Sequence, residues 1–390
     1  MRIEKNGQTI IAYPEGRITS DNAKDVEQEL RAHMEDTTKE IIVDAENLQY
    51  ISSAGLRVLL VLSKEMGHPL IVQGVNAEIY EIFEMTGFTE ILDVRKKVRK
   101  INVEGCEVIG QGAFGTVYRI DDENIVKVYD SPDLLPLIET EQKRAKQAFI
   151  SGLPTAISYD IVRVGNSYGS VFELLKAHNL NDVFIQSPER ADELLHQYVQ
   201  LIHQVHSAKA LSGDLPNAGD IFLTYVQELK EVIPEEIRKQ LTTLLEQMPE
   251  EKHMVHGDMQ MKNVMMNDGE LILIDMETLS LGNPVFDLQA LYVTYVAYGE
   301  DEPENPMEFL GIPRDRCLYI WEHIIEYYFE GYSPEQIEQM ENIIRVLGSI
   351  RFLDRVVTHG LTKPELKETR INRTLEHLRE LLPKVDTLCI

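Results

Sequence analysis

One stretch restricts this chain more than any other. Residues 256–277 read His-Gly-Asp-Met-Gln-Met-Lys-Asn-Val-Met-Met-Asn-Asp-Gly-Glu-Leu-Ile-Leu-Ile-Asp-Met-Glu. Two apolar runs, 264–266 and 271–274, flank Asn267-Asp268-Gly269, and that triplet offers the positive φ a tight hairpin needs. A hairpin brings its ends together, so Asp258, Asn263 and Asp275 are expected to converge. Two carboxylates and an amide oxygen at one point suit a hard cation such as Mg²⁺ and leave one carboxylate to act as a base. The plain alternative is a surface hairpin with polar flanks, and the rest of the chain decides between the two.

A length of 390 residues implies two or three domains, and 43% hydrophobic with 26% charged residues is ordinary globular composition. Cys106, Cys317 and Cys389 are far apart and form no Cys-x-x-Cys pair, which argues for a reducing compartment and against a disulfide frame or zinc site. The N-terminus carries charges where a signal peptide needs an apolar run, and no stretch of about 18 apolar residues occurs, so a cytoplasmic chain without a membrane partner is expected. The net charge of −27 disfavours nucleic acid, whose phosphates must be met by Lys and Arg. Most of that charge lies beyond the first hundred residues, which hold 13 basic and 17 acidic side chains. An acidic second part can steer a cationic substrate or merely keep the surface soluble.

The first hundred residues alternate strand and helix patterns. Residues 9–12, 41–43, 69–73 and 90–94 read as strands. Ala23, Val26, Leu30 and Met34 mark a helix opened by Ser20 or Asp21, and helices are expected over 53–66 and 77–85. Such alternation means a sheet with helices packed on it. In Leu-Gln-Tyr-Ile-Ser-Ser-Ala-Gly-Leu-Arg-Val-Leu-Leu, residues 48–60, a strand and turn deliver Ser52 and Ser53 to a helix start. This placement resembles the STAS domain of bacterial anti-sigma-factor antagonists, whose Asp-Ser-Ser/Thr-Gly motif carries a phosphorylated serine. The aligned position is Ser53, where a phosphate would meet unpaired N–H groups and the positive end of the helix dipole. The family's Asp falls on Ser52. A simple N-cap role for either serine stands beside the phosphosite. The resemblance implies a regulatory module with a protein partner, an anti-sigma-type kinase or regulator. The basic run at 95–100 either lies across the acidic second part or is a solvated linker.

Residues 107–119 contain Gly110-x-Gly112-x-x-Gly115, a weak signal alone. The residues after the third glycine are strand-like, Thr-Val-Tyr-Arg-Ile and then Ile-Val-Lys-Val-Tyr, rather than the helix a dinucleotide fold requires. Strand, glycine loop, strand, strand is similar to the order in which kinases lay backbone amides over ATP phosphates, with Lys127 as the phosphate-holding lysine. A helix over 133–150 would supply the glutamate that holds this lysine, Glu141 or else Glu139. Strands at 156–164 and 168–175 complete a small sheet, and Glu173 falls in the segment whose backbone would meet adenine.

Helical patterns continue through residue 250, with His203 and His206 read as packing or capping side chains. His256-Gly-Asp258 with Asn263, Ile274-Asp275 and Gly282-Asn-Pro-Val-Phe-Asp287 resemble the aminoglycoside phosphotransferase and choline kinase superfamily over 101–390. The resemblance implies ATP and Mg²⁺, with Asp258 as catalytic base, Asn263 and Asp275 on the metal, and His256 and Asp287 as structural support. Asp287 comes only 12 residues after Asp275 and no Ala-Pro-Glu occurs, which leaves no room for a peptide-docking activation segment. The acceptor is then a small-molecule hydroxyl, in the aminoglycoside, amino-alcohol or sugar class. A protein serine kinase acting on Ser53 and a non-catalytic nucleotide-sensing scaffold are the alternatives. The expected architecture is an α/β STAS-type domain at 1–97 and, after it, an α+β protein-kinase-like bilobal domain. Its small antiparallel-sheet N-lobe would span 101–176, and its mostly helical C-lobe, with the acceptor-site helices, 177–390.

Overall fold

Ile10 and Ala12 are fully buried between half-buried neighbours, and Ile41 and Val43 repeat the pattern. A burial period of two marks strands with one face on a core. In the computed structural model, which describes every residue except 36, 113, 114, 176 and 212–214, these residues sit in a five-stranded sheet. Its order is Arg2–Asn6, Thr9–Tyr13, Glu40–Asp44, Ile71–Val75 and Asp93–Lys96, antiparallel at the first pair and parallel after it. Parallel neighbours need crossovers, and the helices Ala23–His33, Ser53–Met66 and Ala77–Met85 lie between the successive parallel strands in sequence. Leu30, Leu56, Leu59, Leu62, Ile79 and Phe83 carry these helices into the same core.

Some boundaries differ from the sequence reading. The first helix opens after Asn22 rather than at Ser20 or Asp21, and the Asn22 side chain accepts from the Thr19 N–H at 2.8 Å. Residues 88–90 form a 3₁₀ turn, which delays the last strand to Asp93–Lys96. The edge strand Arg2–Asn6 has four exposed positions of five and so no apolar alternation to reveal it. Within the basic run, Arg95 pairs with Asp93 at 2.6 Å, Lys96 lies over the Tyr80 ring, and Lys97 reaches Glu46 at 3.3 Å.

The chain divides into two units, Met1–Asn102 with Val162–Gly165, and Val103–Ile161 with Asn166–Ile390. The second begins with antiparallel strands Glu107–Gly112, Gly115–Arg119, Asn124–Tyr129 and Ser167–Glu173, joined edge to edge in the order first, second, third, fourth. The helix Leu135–Ile150 comes after the third strand in sequence. Beyond the sheet the unit is largely helical, with Ala191–Ser207, Val285–Tyr292, Arg314–Tyr328 and Pro334–Val357 sharing one core. This is the architecture of a protein-kinase-like α+β fold.

Candidate active site

The sheet end of the site rests on close backbone approach. A Cβ on Gly115 would overlap the Val128 carbonyl across the strand pair, so glycine is required there by contact. Gly115 pairs with Gly112, and Gly110 pairs with Val117. Ala113 and Phe114, between these glycines, lie outside the described residues. One strand over, Lys127 pairs with Val117 and Ser170, with its Nζ 3.6 Å from Glu141 Oε2. Glu141 is buried on its helix and accepts a hydrogen bond from the Tyr129 hydroxyl at 2.8 Å. Burial works against the charge of Lys127, but Glu141 leads the neighbouring groups that outweigh it and hold the ammonium above its ordinary value. Glu173 ends its strand opposite Asn124 with an exposed side chain, which makes no hydrogen bond or ion pair with this cluster among the described residues.

The loop around Asp258 is held from beneath by Asp287. This fully buried carboxylate accepts from the His256 N–H at 2.9 Å and the Gly257 N–H at 2.5 Å, and meets His206 Nε2 at 3.0 Å. Burial alone would raise its pKa, but the hydrogen bond and charge of His206, with His256 and the Gly257 N–H, hold it below the ordinary value. His206 reaches Tyr328 through its other nitrogen, 2.7 Å from the hydroxyl. The His256 ring contacts the Ile274 carbonyl at 3.1 Å, next to Asp275. Gly257 has φ +81°, and a Cβ there would lie 2.8 Å from the Thr278 carbonyl oxygen.

The hairpin forms as Val264–Asn267 and Glu270–Leu273, joined by Asp268 (φ 50°) and Gly269 (φ 89°). Both central residues have positive φ, which matches the twist of the strands. The turn thus returns Asp275 to the Asn263 side, where the Ile274 N–H donates to the Asn263 carbonyl at 3.0 Å. Asn263 Nδ2 donates to the Asp258 carbonyl at 2.9 Å and to Asp258 Oδ2 at 3.1 Å, while Gln260 Nε2 donates to Oδ2 at 2.9 Å. Asp258 Oδ1 is left facing outward from this clamp.

Asp275 itself has φ 64° and ψ 64°, a left-handed conformation uncommon outside glycine. Its carboxyl is pushed up by burial and by Glu141 and Asp258, with Lys127 and His256 opposing. Glu277 is pushed up to about 7 by burial, then Asp275 and Glu141. Arg144 donates to the Glu277 carbonyl. No group of three or more His, Cys, Asp or Glu side chains arranged for a metal is found among the described residues. Asp275 carries a carboxylate, and the Asn263 amide turns its nitrogen to Asp258, which leaves its oxygen unclaimed by that contact. Oxygen donors of this kind would fit a hard divalent cation.

Two side chains at this point were unmarked in the sequence. Arg351 and Arg355 each place a guanidinium nitrogen 3.9 Å from Asp258 Oδ1. They come from the long helix Pro334–Val357, whose i, i+4 spacing is equally that of packing residues.

In the first unit, Ser52 is the N-cap of Ser53–Met66, accepting from the Gly55 N–H at 3.4 Å, and Ser53 is the exposed first helical residue. Gly55 permits the helix to approach Ile18 and Ile51, which a Cβ would meet at 2.6 and 2.8 Å.

Residues 1–101 match the STAS domain model, and residues 105–317 match the model of the phosphotransferase enzyme family (APH). A Bordetella bronchiseptica protein provisionally named as the anti-sigma factor antagonist BtrV is 33% identical over 97 residues, 24% of this chain and 84% of its own length. Among solved structures, an ADP-bound aminoglycoside phosphotransferase APH(2'')-Ib is 16% identical, with a TM-score of 0.46, covering 78% of this chain and 99% of its own. A choline/ethanolamine kinase family protein from Mesorhizobium loti is 14% identical, with a TM-score of 0.46, covering 71% of this chain and 87% of its own. No helix among the described residues is long and apolar enough to cross a membrane. With more than half of its length matched, the chain belongs to the phosphotransferase enzyme family and carries a STAS domain at its head.

Proposed function

We propose that the second unit transfers the γ-phosphate of ATP to a hydroxyl of a small molecule in the cytoplasm, and that residues 1–97 form a regulatory or partner-binding module. Residues 101–176 and 177–390 would be its two lobes. The observation that carries this reading is the single oriented oxygen of Asp258. Its Oδ2 is fixed by Gln260 and Asn263, which leaves Oδ1 to orient the acceptor hydroxyl and take its proton as the new O–P bond forms and the bond to ADP breaks. Asp287 keeps the loop in place by accepting the two backbone N–H groups before Asp258. Lys127, braced by Glu141, offers a fixed cation to phosphate oxygens, and the Gly110, Gly112 and Gly115 strand turn admits backbone close to them. Asn263 Oδ1 and the Asp275 carboxylate would hold Mg²⁺, which when bound neutralises charge on the phosphate oxygens.

The test is Asp258→Asn in the full chain. Nucleotide consumption in a screen of hydroxylated acceptors should disappear while ATP binding persists; retained turnover would remove Asp258 from the chemistry. A second reading, protein serine kinase activity toward Ser53, draws support from the exposure of that serine at a helix start. Phosphate incorporated at Ser53 by the wild type but not by Asp258→Asn would favour it. On the first reading the partner at the STAS module would be an anti-sigma-type kinase or regulator; on either, a phosphate on Ser53 would sit against the helix N-terminus.

A further inference from the structure

Arg351 and Arg355 stand one turn apart on one face of Pro334–Val357, both directed at Asp258. The Arg351 side chain is 10% exposed and that of Arg355 29%, so one guanidinium is embedded and the other opens outward. Neither donates a hydrogen bond among the described residues, since 3.9 Å from Asp258 Oδ1 is too long for one. The other carboxylates nearby pair elsewhere or stay out of ion-pair reach of the two guanidiniums. Asp258 Oδ2 is held by Gln260 and Asn263, and Asp287 by the loop around Asp258 and His206; Asp354 meets His359 through Oδ2 at 3.3 Å, and its buried Oδ1 has no hydrogen-bond partner among the described residues. Tyr225 and Tyr298 lie in the field of both guanidiniums, and neither is an anion at neutral pH, because burial raises both hydroxyls.

One outward carboxylate oxygen therefore faces two cations. Burial and Arg355 disfavour the charge on Arg351 more than Asp258, Tyr225 and Asp287 favour it, and neither guanidinium has a hydrogen-bonded anion beside it among the described residues. An ammonium brought beside Asp258 would meet two guanidiniums, and a neutral acceptor would leave both forks unpaired. A carboxylate or phosphate answers both, because the planar guanidinium fork matches such groups in bidentate geometry.

We propose that the phosphate acceptor is a hydroxyl compound that also bears an anionic group, a carboxylate or a phosphate, held by Arg351 and Arg355 beside Asp258. This rests on the assignment of Asp258 to the acceptor side. It turns the expectation from net charge around: the chain is acidic, but two guanidiniums stand 3.9 Å from the outward oxygen of Asp258. Within the small-molecule hydroxyl class it selects acidic sugars and hydroxy acids over amino alcohols and aminoglycosides.

The experiment separates this anion from the nucleotide's own phosphate. The full chain, saturated with Mg²⁺ and a non-hydrolysable ATP analogue, is titrated calorimetrically with inorganic phosphate, glycerate and, as neutral control, glycerol. Phosphate or glycerate should bind saturably and glycerol should not. In Arg355→Gln, the more exposed position and so the safer variant for folding, anion affinity should fall about tenfold or more with analogue affinity unchanged. Three results overturn the proposal: no anion binding, equal binding of glycerate and glycerol, or a loss confined to the analogue. If the analogue fails to bind at all, the phosphotransferase reading fails instead, and the same anion titration without it still decides the arginine site.

Discussion

Asp287→Asn changes one atom and should cost the second unit a large part of its stability. The carboxylate receives two backbone N–H groups and His206 with no exposure to solvent. Hydrogen bonds to a charged group contribute about 1.5–3 kcal/mol each. The asparagine keeps one acceptor oxygen but turns an NH₂ toward a buried donor. Removing one partner from a buried charged network costs about 3–5 kcal/mol, against a total of about 5–15 kcal/mol for a domain. Trp321 is the only tryptophan and lies buried in the second unit, so its fluorescence during urea unfolding reports that unit by itself. Asp287 is held below its ordinary value of 3.8, so its contribution is present in full above that value and lost as pH falls through the lower folded-state value. The gap between wild type and variant should therefore be level near neutrality and close only in acid. A difference under about 1 kcal/mol at pH 7 would refute the reasoning, since it would equal a single ordinary hydrogen bond.

Three further outcomes rest on the same geometry. Glu141→Gln leaves burial of Lys127 without its leading counter-charge, and nucleotide affinity should drop about 10–100-fold by titration, with the fold intact by circular dichroism. Gly115→Ala forces the Val128 carbonyl aside and should lower stability by about 1–3 kcal/mol in urea, as over-packing does; an unchanged midpoint would contradict the close approach. Ser52→Ala should cost about 1 kcal/mol through loss of the helix cap, while Ser53→Ala should fall within about 0.5 kcal/mol of wild type; the reverse order would exchange their roles.

Legibility from sequence tracked the range of the interactions. The hairpin was readable because Asp268-Gly269 carries its turn chemistry locally, and the helix Ser53–Met66 because its cap and apolar spacing are local too. The pairing of Lys127 with Glu141 spans a strand and a helix, and spacing alone left Glu139 open. His206 looked like a packing residue because its partners, Asp287 and Tyr328, are 81 and 122 residues away. Arg351 and Arg355 were silent for the same reason: a basic pair on a mid-chain helix has no local signature of what it faces. The edge strand Arg2–Asn6 was missed because an edge with little burial shows no period.

Gly257 does more than relax the backbone before Asp258. With φ +81° and the Thr278 carbonyl 2.8 Å from where a Cβ would stand, and with Thr278 Oγ1 donating to the His256 carbonyl at 2.7 Å, the two segments interlock. A side chain at 257 would meet a backbone carbonyl that no substitution at 278 removes, and would be strained at this φ besides, so position 257 is expected to stay glycine among descendants of this sequence. The interlock also constrains control. Any switch that worked by swinging Asp275 and its turn outward would first have to break the Thr278 contact and loosen the loop of Asp258 with it. Inactivation by that route would disassemble both halves of the centre at once.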